Sequence, residues 1–251
     1  MFNAKKESER IIEFIQDYFQ KNNLGGVILG ISGGKDSGVV AGLFTKALGK
    51  ENVIGITMPC HSKEEDKKDA ELVRDKYGFK LVNMDITETF DALTREAQKL
   101  EDYIVSDDSN INLKPRLRMS TLYYLAQMYS KKYGKTYIVA GTGNKCEEYV
   151  GYFTKGGDSV SDIKVLADLT VEEVIQVGEV LEVPEKVLYK TPSDGLSNLS
   201  DEDKLGVTYK DITKVINNEK VEKEVSEKIE KLHHNTRHKF EIATYRKENA
   251  N

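Results

Sequence analysis

Apolar side chains recur at the spacing of one helix face over residues 5–22, where Ile11, Ile12, Phe14, Ile15, Tyr18 and Phe19 line up. Polar and glycine residues at 22–26 stop that pattern. Residues 27–31 are short, β-branched and apolar, as expected of a strand covered on both faces. A helical period returns over residues 38–48, followed by a strand-like run at 53–58. Residues 63–77 predict a strongly charged helix with Ala70, Leu72, Val73 and Tyr77 turned inward. Residues 80–85 read as a strand, 87–100 and 116–132 as helices, and 136–140 as a further strand. Such alternation predicts βαβ units and an α/β fold, a doubly wound parallel sheet flanked by helices.

The alternation fails after residue 141. Residues 141–162 read as a glycine- and charge-rich loop, too long for an ordinary connector. A helix is expected over 171–181, then the loop TPSDGLSNLSDED, then a lysine- and glutamate-rich helical C-terminal extension. One domain over residues 1–251, with an α/β core at 1–206 and a helical segment at 207–251, is the simplest division. The 251 residues are 39% hydrophobic and 31% charged, enough for a sizeable core. A net charge of −5 argues against nucleic acid as the main partner. No run approaches the roughly 18 apolar residues of a membrane span, and the N-terminus lacks a secretory pattern. The two cysteines, Cys60 and Cys146, cannot build a disulfide framework. A cytoplasmic enzyme without membrane or nucleic-acid partners is the expectation.

The candidate chemistry starts where the first strand ends, in VILGISGGKDS (residues 27–37). Backbone N–H groups at a strand-to-helix turn face a bound anion, and the helix dipole adds to the attraction. Ser32 and Ser37 can donate hydroxyls, Lys35 adds charge, and Asp36 can hold a magnesium ion. The spacing is not that of a Walker loop, because Leu29 stands where its first glycine belongs and Asp36 follows the lysine. It is not GxGxxG either. Transfer of a γ-phosphate therefore loses support.

The loop resembles the SGGxDS pyrophosphate loop of the N-type ATP pyrophosphatases. Downstream, NLKPRLRM (112–119), GTGNKCEEYVGYFTKGGD (141–158), KTPSDGL (190–196), DEDKLGVTY (201–209) and RHK (237–239) follow in order. Together they resemble the ammonia-dependent NAD synthetases over about residues 5–245. The resemblance implies an adenine-nucleotide α-hydrolase-like fold and a homodimer. It also implies ATP-dependent amidation of deamido-NAD (nicotinic acid adenine dinucleotide) by ammonia, with Mg2+ as cofactor and AMP and pyrophosphate released. Position by position, Gly30, Ile31, Ser32, Gly33, Gly34, Lys35, Asp36 and Ser37 would hold ATP, as would Thr142 and Ser193. Asp36 and Glu147 would bind the metal. Arg116, Lys155, Asp162, His238 and Lys239 would contact deamido-NAD.

Two departures stand out. Where the resemblance expects a lysine that touches ATP phosphate the chain has Val171, and its usual Asn-Pro is Lys164-Val165. Lys164 is the candidate to supply the missing charge. Taken alone, Glu147 beside Glu148 reads as a solvated helix start. Cys60-His61 lacks metal-partner spacing and suits a structural or adenine-loop role, and His233-His234 reads as exposed. A tRNA-modifying ligase of the same superfamily is disfavoured by the acidic chain. A non-catalytic nucleotide-binding regulator is disfavoured by both retained carboxylates. No segment is long enough for a glutaminase domain, so free ammonia is the expected donor, from solution or from a separate glutaminase.

Overall fold

The structure, a computed structural model, describes residues 2–62, 64–191 and 200–245. Helix α1 (Ala4–Lys21) begins where the Asn3 side chain accepts from the Lys6 amide at 3.0 Å, and it buries Ile11, Ile15 and Phe19. β1 (Leu24–Gly30), α2 (Lys35–Leu48), β2 (Val53–Thr57), α3 (Glu64–Tyr77), β3 (Lys80–Asn83) and α4 (Thr87–Ala97) follow. Next come α5 (Asp107–Tyr133), β4 (Thr136–Gly141), α6 (Lys145–Val150) and the two-residue β5 (Ile163–Lys164). The chain continues through α7 (Val171–Leu181), α8 (Glu185–Leu188), α9 (Asp201–Leu205), α10 (Tyr209–Ile216) and α11 (Lys223–Thr236), ending in a 3-10 turn at Arg237–Lys239.

All strand pairs are parallel, in the order β3-β2-β1-β4-β5. The chain winds outward from β1 in one direction to β3, then returns to place β4 on its other side. β1 and β4 therefore flank the point where the winding reverses, and their carboxyl ends open the crevice in which such sheets bind ligands. Alternate side chains of β1 serve different layers. Val27 and Leu29 pack into a core with α1, α2 and α7, whereas Ile28 joins Leu125, Tyr129 and Val139 beneath α5. A third apolar cluster, containing Cys146, Val171, Leu205, Tyr209, Ile212 and Ile229, ties α6 to α9, α10 and α11.

Three local expectations are corrected. Residues 141–162 contain α6 and lead into β5, so they are not one loop; α6 spans six residues and carries no apolar period. α5 starts well before residue 116, capped by Ser106 accepting from the Ser109 amide at 3.2 Å, and Pro115 lies inside it. On α3, Leu72 faces solvent at 38% exposure while Asp69 is fully buried, since ion pairing rather than hydropathy decides that face.

Phe44 lies fully buried in the larger core, edge-on to Phe19 at 6.1 Å between ring centres. Phe44→Ala is expected to lower the unfolding free energy by about 3–5 kcal/mol. The reading is a lower urea midpoint at unchanged slope; a loss well under 1 kcal/mol would contradict this packing.

A candidate phosphate-binding site

The segment after β1 has a geometry suited to an anion. The Ile31 amide still donates to Ile56 O at 2.9 Å, so the sheet fixes the root of the loop. Gly33 then takes φ +79°, and a Cβ there would stand 2.6 Å from Asp66 O, so only glycine fits. The Gly34 amide donates to Ser32 Oγ at 3.2 Å, and the Ser37 hydroxyl donates to Gly34 O at 3.0 Å. Gly34 is the N-cap of α2 and supplies no side-chain cap, which leaves first-turn N–H groups directed at the crevice.

Lys35 is only 5% exposed, and its Nζ lies 2.8 Å from Asp36 Oδ2. Burial by itself would lower its pKa. The charges of Asp36, Glu147 and Asp201 and the bond to Asp36 outweigh that and raise it, so the ammonium stays charged. Asp36 Oδ1 accepts from Asn144 Nδ2 at 3.2 Å. Asn144 is fully buried and caps α6, accepting from the Cys146 and Glu147 amides, while Glu147 Oε2 accepts from the Asn144 amide at 3.1 Å. Glu147 is thus the helix start that its local sequence suggested and also a neighbour of Asp36. Burial, then the Asp36 charge, push its carboxyl well above the usual carboxylate range. Two carboxyl groups side by side are relieved by a shared proton or by a cation. This pair suits magnesium, which takes one or two carboxylates and fills its other positions with water and phosphate oxygens. Among the described residues there is no cluster of three or more His, Cys, Asp or Glu that would make an all-protein metal site.

Asp201 and Tyr209, which received no role from the sequence although they open and close DEDKLGVTY, complete this wall. Asp201 is buried and accepts from Tyr152 Oη at 3.1 Å and Tyr209 Oη at 3.4 Å, and Lys35 Nζ sits 5.8 Å from the centre of the Tyr209 ring. Behind Gly33, the buried Asp69 pairs with Lys190 at 2.6 Å and Lys186 at 2.8 Å, and Lys190 also reaches Asp66 at 2.9 Å. Lys190 begins KTPSDGL, so this carboxylate joins the phosphate loop to that motif.

Of the expected acceptor contacts, Arg116, Lys155, His238 and Lys239 lie on connected segments, whereas Asp162 is bonded elsewhere. Arg116 Nε donates to Lys155 O at 3.3 Å, and Lys155 Nζ donates to His238 O at 2.7 Å and Glu241 O at 3.1 Å. Lys239 Nζ donates to Gly151 O at 2.8 Å and Phe153 O at 2.9 Å. Asp162 accepts from the Val139 amide at 2.7 Å and Tyr123 Oη at 3.1 Å, at the β4 edge. Thr142 follows β4 directly, whereas Ser193 lies outside the described residues. Val171 is buried in the third apolar cluster, where a charge would be costly. Lys164 pairs with Gly141 across the sheet and its Nζ contacts Glu148 at 2.7 Å. His61 bonds Asp91 at 2.8 Å, and Cys60 is buried. His233 is not simply exposed: its Nδ1 meets Tyr149 O at 2.8 Å.

Fold and loop define a parallel α/β protein with a glycine-containing strand-to-helix turn at the reversal point of its sheet. The NAD synthase family pattern matches residues 7–243, and the chain belongs to that family. The NH(3)-dependent NAD(+) synthetase of Carboxydothermus hydrogenoformans is 35% identical over 241 residues, covering 96% of each chain. The solved NMN synthetase from Francisella tularensis superposes with a TM-score of 0.90 at 31% identity, over 98% of this chain and 99% of that one. The NH3-dependent NAD synthetase from Campylobacter jejuni gives 0.79 at 26% identity, over 98% and 100%.

The Asp69 network predicts a pH effect. Burial would raise this carboxyl's pKa, but its bonds to Lys186 and Lys190 prevail and hold it below the ordinary 3.8. Its stabilisation is therefore present at neutral pH and lost as the pH falls through the depressed value. Asp69→Asn should cost about 1–2 kcal/mol at pH 7, discounted for the half-exposed lysines. The gap between variant and wild type should close only below the ordinary carboxylate pKa; a gap constant from pH 7 to pH 3 would contradict the pairing.

Proposed function

We propose that the chain is an amide-forming ligase that uses ATP and ammonia to convert the nicotinate carboxylate of deamido-NAD into the amide of NAD. The observation that carries this reading is the meeting of Lys35, Asp36 and Glu147 at the open start of α2, in a chain of the NAD synthase family. A carboxylate is a poor acyl donor and must first be activated. Its oxygen attacks the α-phosphorus of ATP, the bond to the bridging oxygen breaks, and pyrophosphate leaves. Ammonia then attacks the acyl carbon, AMP departs with the carboxylate oxygen, and the nitrogen loses a proton. The N–H groups of residues 33–37, the Ser32 and Ser37 hydroxyls and the Lys35 ammonium would hold the departing pyrophosphate, where negative charge develops. Asp36 and Glu147 would hold magnesium, which would supply charge neutralisation of the phosphates. Thr142 and Ser193 would approach the nucleotide, and Lys164 would add charge beside Thr142. Arg116, Lys155, Asp162, His238 and Lys239 would meet the acceptor. A homodimer belongs to the same reading. Leu100, Ile104 and Val105 before α5 and Tyr124 on it are exposed apolar side chains of the kind that a subunit contact would cover.

A second reading keeps the chemistry and changes the acceptor to nicotinic acid mononucleotide, giving NMN. It is favoured by the higher TM-score with the Francisella protein, 0.90 against 0.79. It is also favoured by the ammonium groups of Lys155 and Lys239, which are engaged with backbone carbonyls.

The deciding experiment supplies ATP, magnesium, ammonium and either acceptor. AMP and pyrophosphate in equal amounts with NAD support the first reading, and the same with NMN alone supports the second. Glu147→Gln should lower turnover at least about a hundredfold, as loss of a metal carboxylate would. Release of ADP, or no AMP with either acceptor, would overturn both.

A further inference from the structure

The C-terminal turn is built onto the helix that carries Glu147. α6 has six residues, too few to hold itself together, so its ends must be fixed from outside. Asn144 fixes the first end. At the other end Gly151 takes φ +67°, and a Cβ there would overlap the Thr236 side chain of α11, so only glycine lets the two segments come this close. Arg237 Nη2 donates to Glu148 O and Tyr149 O, both at 3.0 Å, while its Nε donates to His233 O at 3.0 Å. Lys239 supplies a second cation at Gly151 O. The guanidinium lies 4.2 Å from the Phe240 ring, and Phe240 meets Phe153 edge-on at 4.9 Å. Last-turn carbonyls carry the negative end of a helix, and cations are the groups that stabilise them.

We infer that Arg237 is a positioning residue: it clasps the carboxyl end of α6 and thereby sets Glu147 opposite Asp36. The inference rests on Glu147 being a metal carboxylate, as proposed above. The RHK motif then has a structural role in addition to acceptor contact. Arginine suits it because one planar group reaches three carbonyls and an aromatic face, which lysine cannot do.

The test compares wild type with Arg237→Gln, Arg237→Lys and Glu147→Gln in the full chain. Arg237→Gln should raise the magnesium concentration for half-maximal turnover about tenfold and leave the acceptor KM unchanged. Mn2+ binding in the presence of ATP, followed by electron paramagnetic resonance without turnover, should weaken by a similar factor. Amide exchange should quicken over residues 145–150 but not in the sheet, and Arg237→Lys should recover part of each effect. A raised acceptor KM with unchanged metal affinity would overturn the clasp and make Arg237 an acceptor ligand. If Glu147→Gln keeps wild-type metal dependence, the reading beneath the clasp fails instead.

Discussion

The buried ammonium of Lys35 is the constraint on which the site is built. A lysine at 5% exposure is tolerable only among anions, and the chain supplies Asp36 from the same helix turn, Glu147 from α6 and Asp201 from α9. Those three elements come from distant parts of the sequence. Each is brought there by a separate device: the parallel sheet sets α2, the Asn144 cap sets α6, and the third apolar cluster seats α9 and α10. The result is a buried ammonium set among three carboxyl groups, of which Glu147 is held well above the usual carboxylate range by burial and by Asp36.

Sheet topology explains why that arrangement faces the crevice. β1 and β4 are neighbours in space but lie on opposite sides of the winding reversal, so no crossover helix covers the gap between their ends. The phosphate loop leaves β1 and the Thr142–Glu147 segment leaves β4. Their adjacent exits put a glycine-rich anion cradle and a capped acidic helix side by side without any long-range strain. The Asp69 pairs with Lys186 and Lys190 then brace the cradle from behind.

The strands and long helices were legible because apolar runs and 3.6-residue spacing report burial directly, as at Ile11, Ile15 and Phe19. Where burial was decided by charge, the pattern misled: Leu72 sits in solvent and Asp69 in the interior. α6 was invisible to periodicity because six residues give less than two turns, although Asn144 and Glu147 stand at capping-box spacing. β5 is two residues long and is defined only by its partner, β4. The candidate site was legible as motifs, since Ser32–Ser37 and Glu147 do converge. Asn144, Asp201 and Tyr209 were not, because their roles arise from contacts between segments that the sequence does not place together.

The central claim is that this cradle directs cleavage between the α- and β-phosphates by an acceptor carboxylate. Its most direct test is single turnover with an acceptor whose carboxylate carries oxygen-18, followed by mass analysis of the products. The account predicts one labelled oxygen in AMP and none in pyrophosphate. Unlabelled AMP, or label in inorganic phosphate together with ADP, would contradict it.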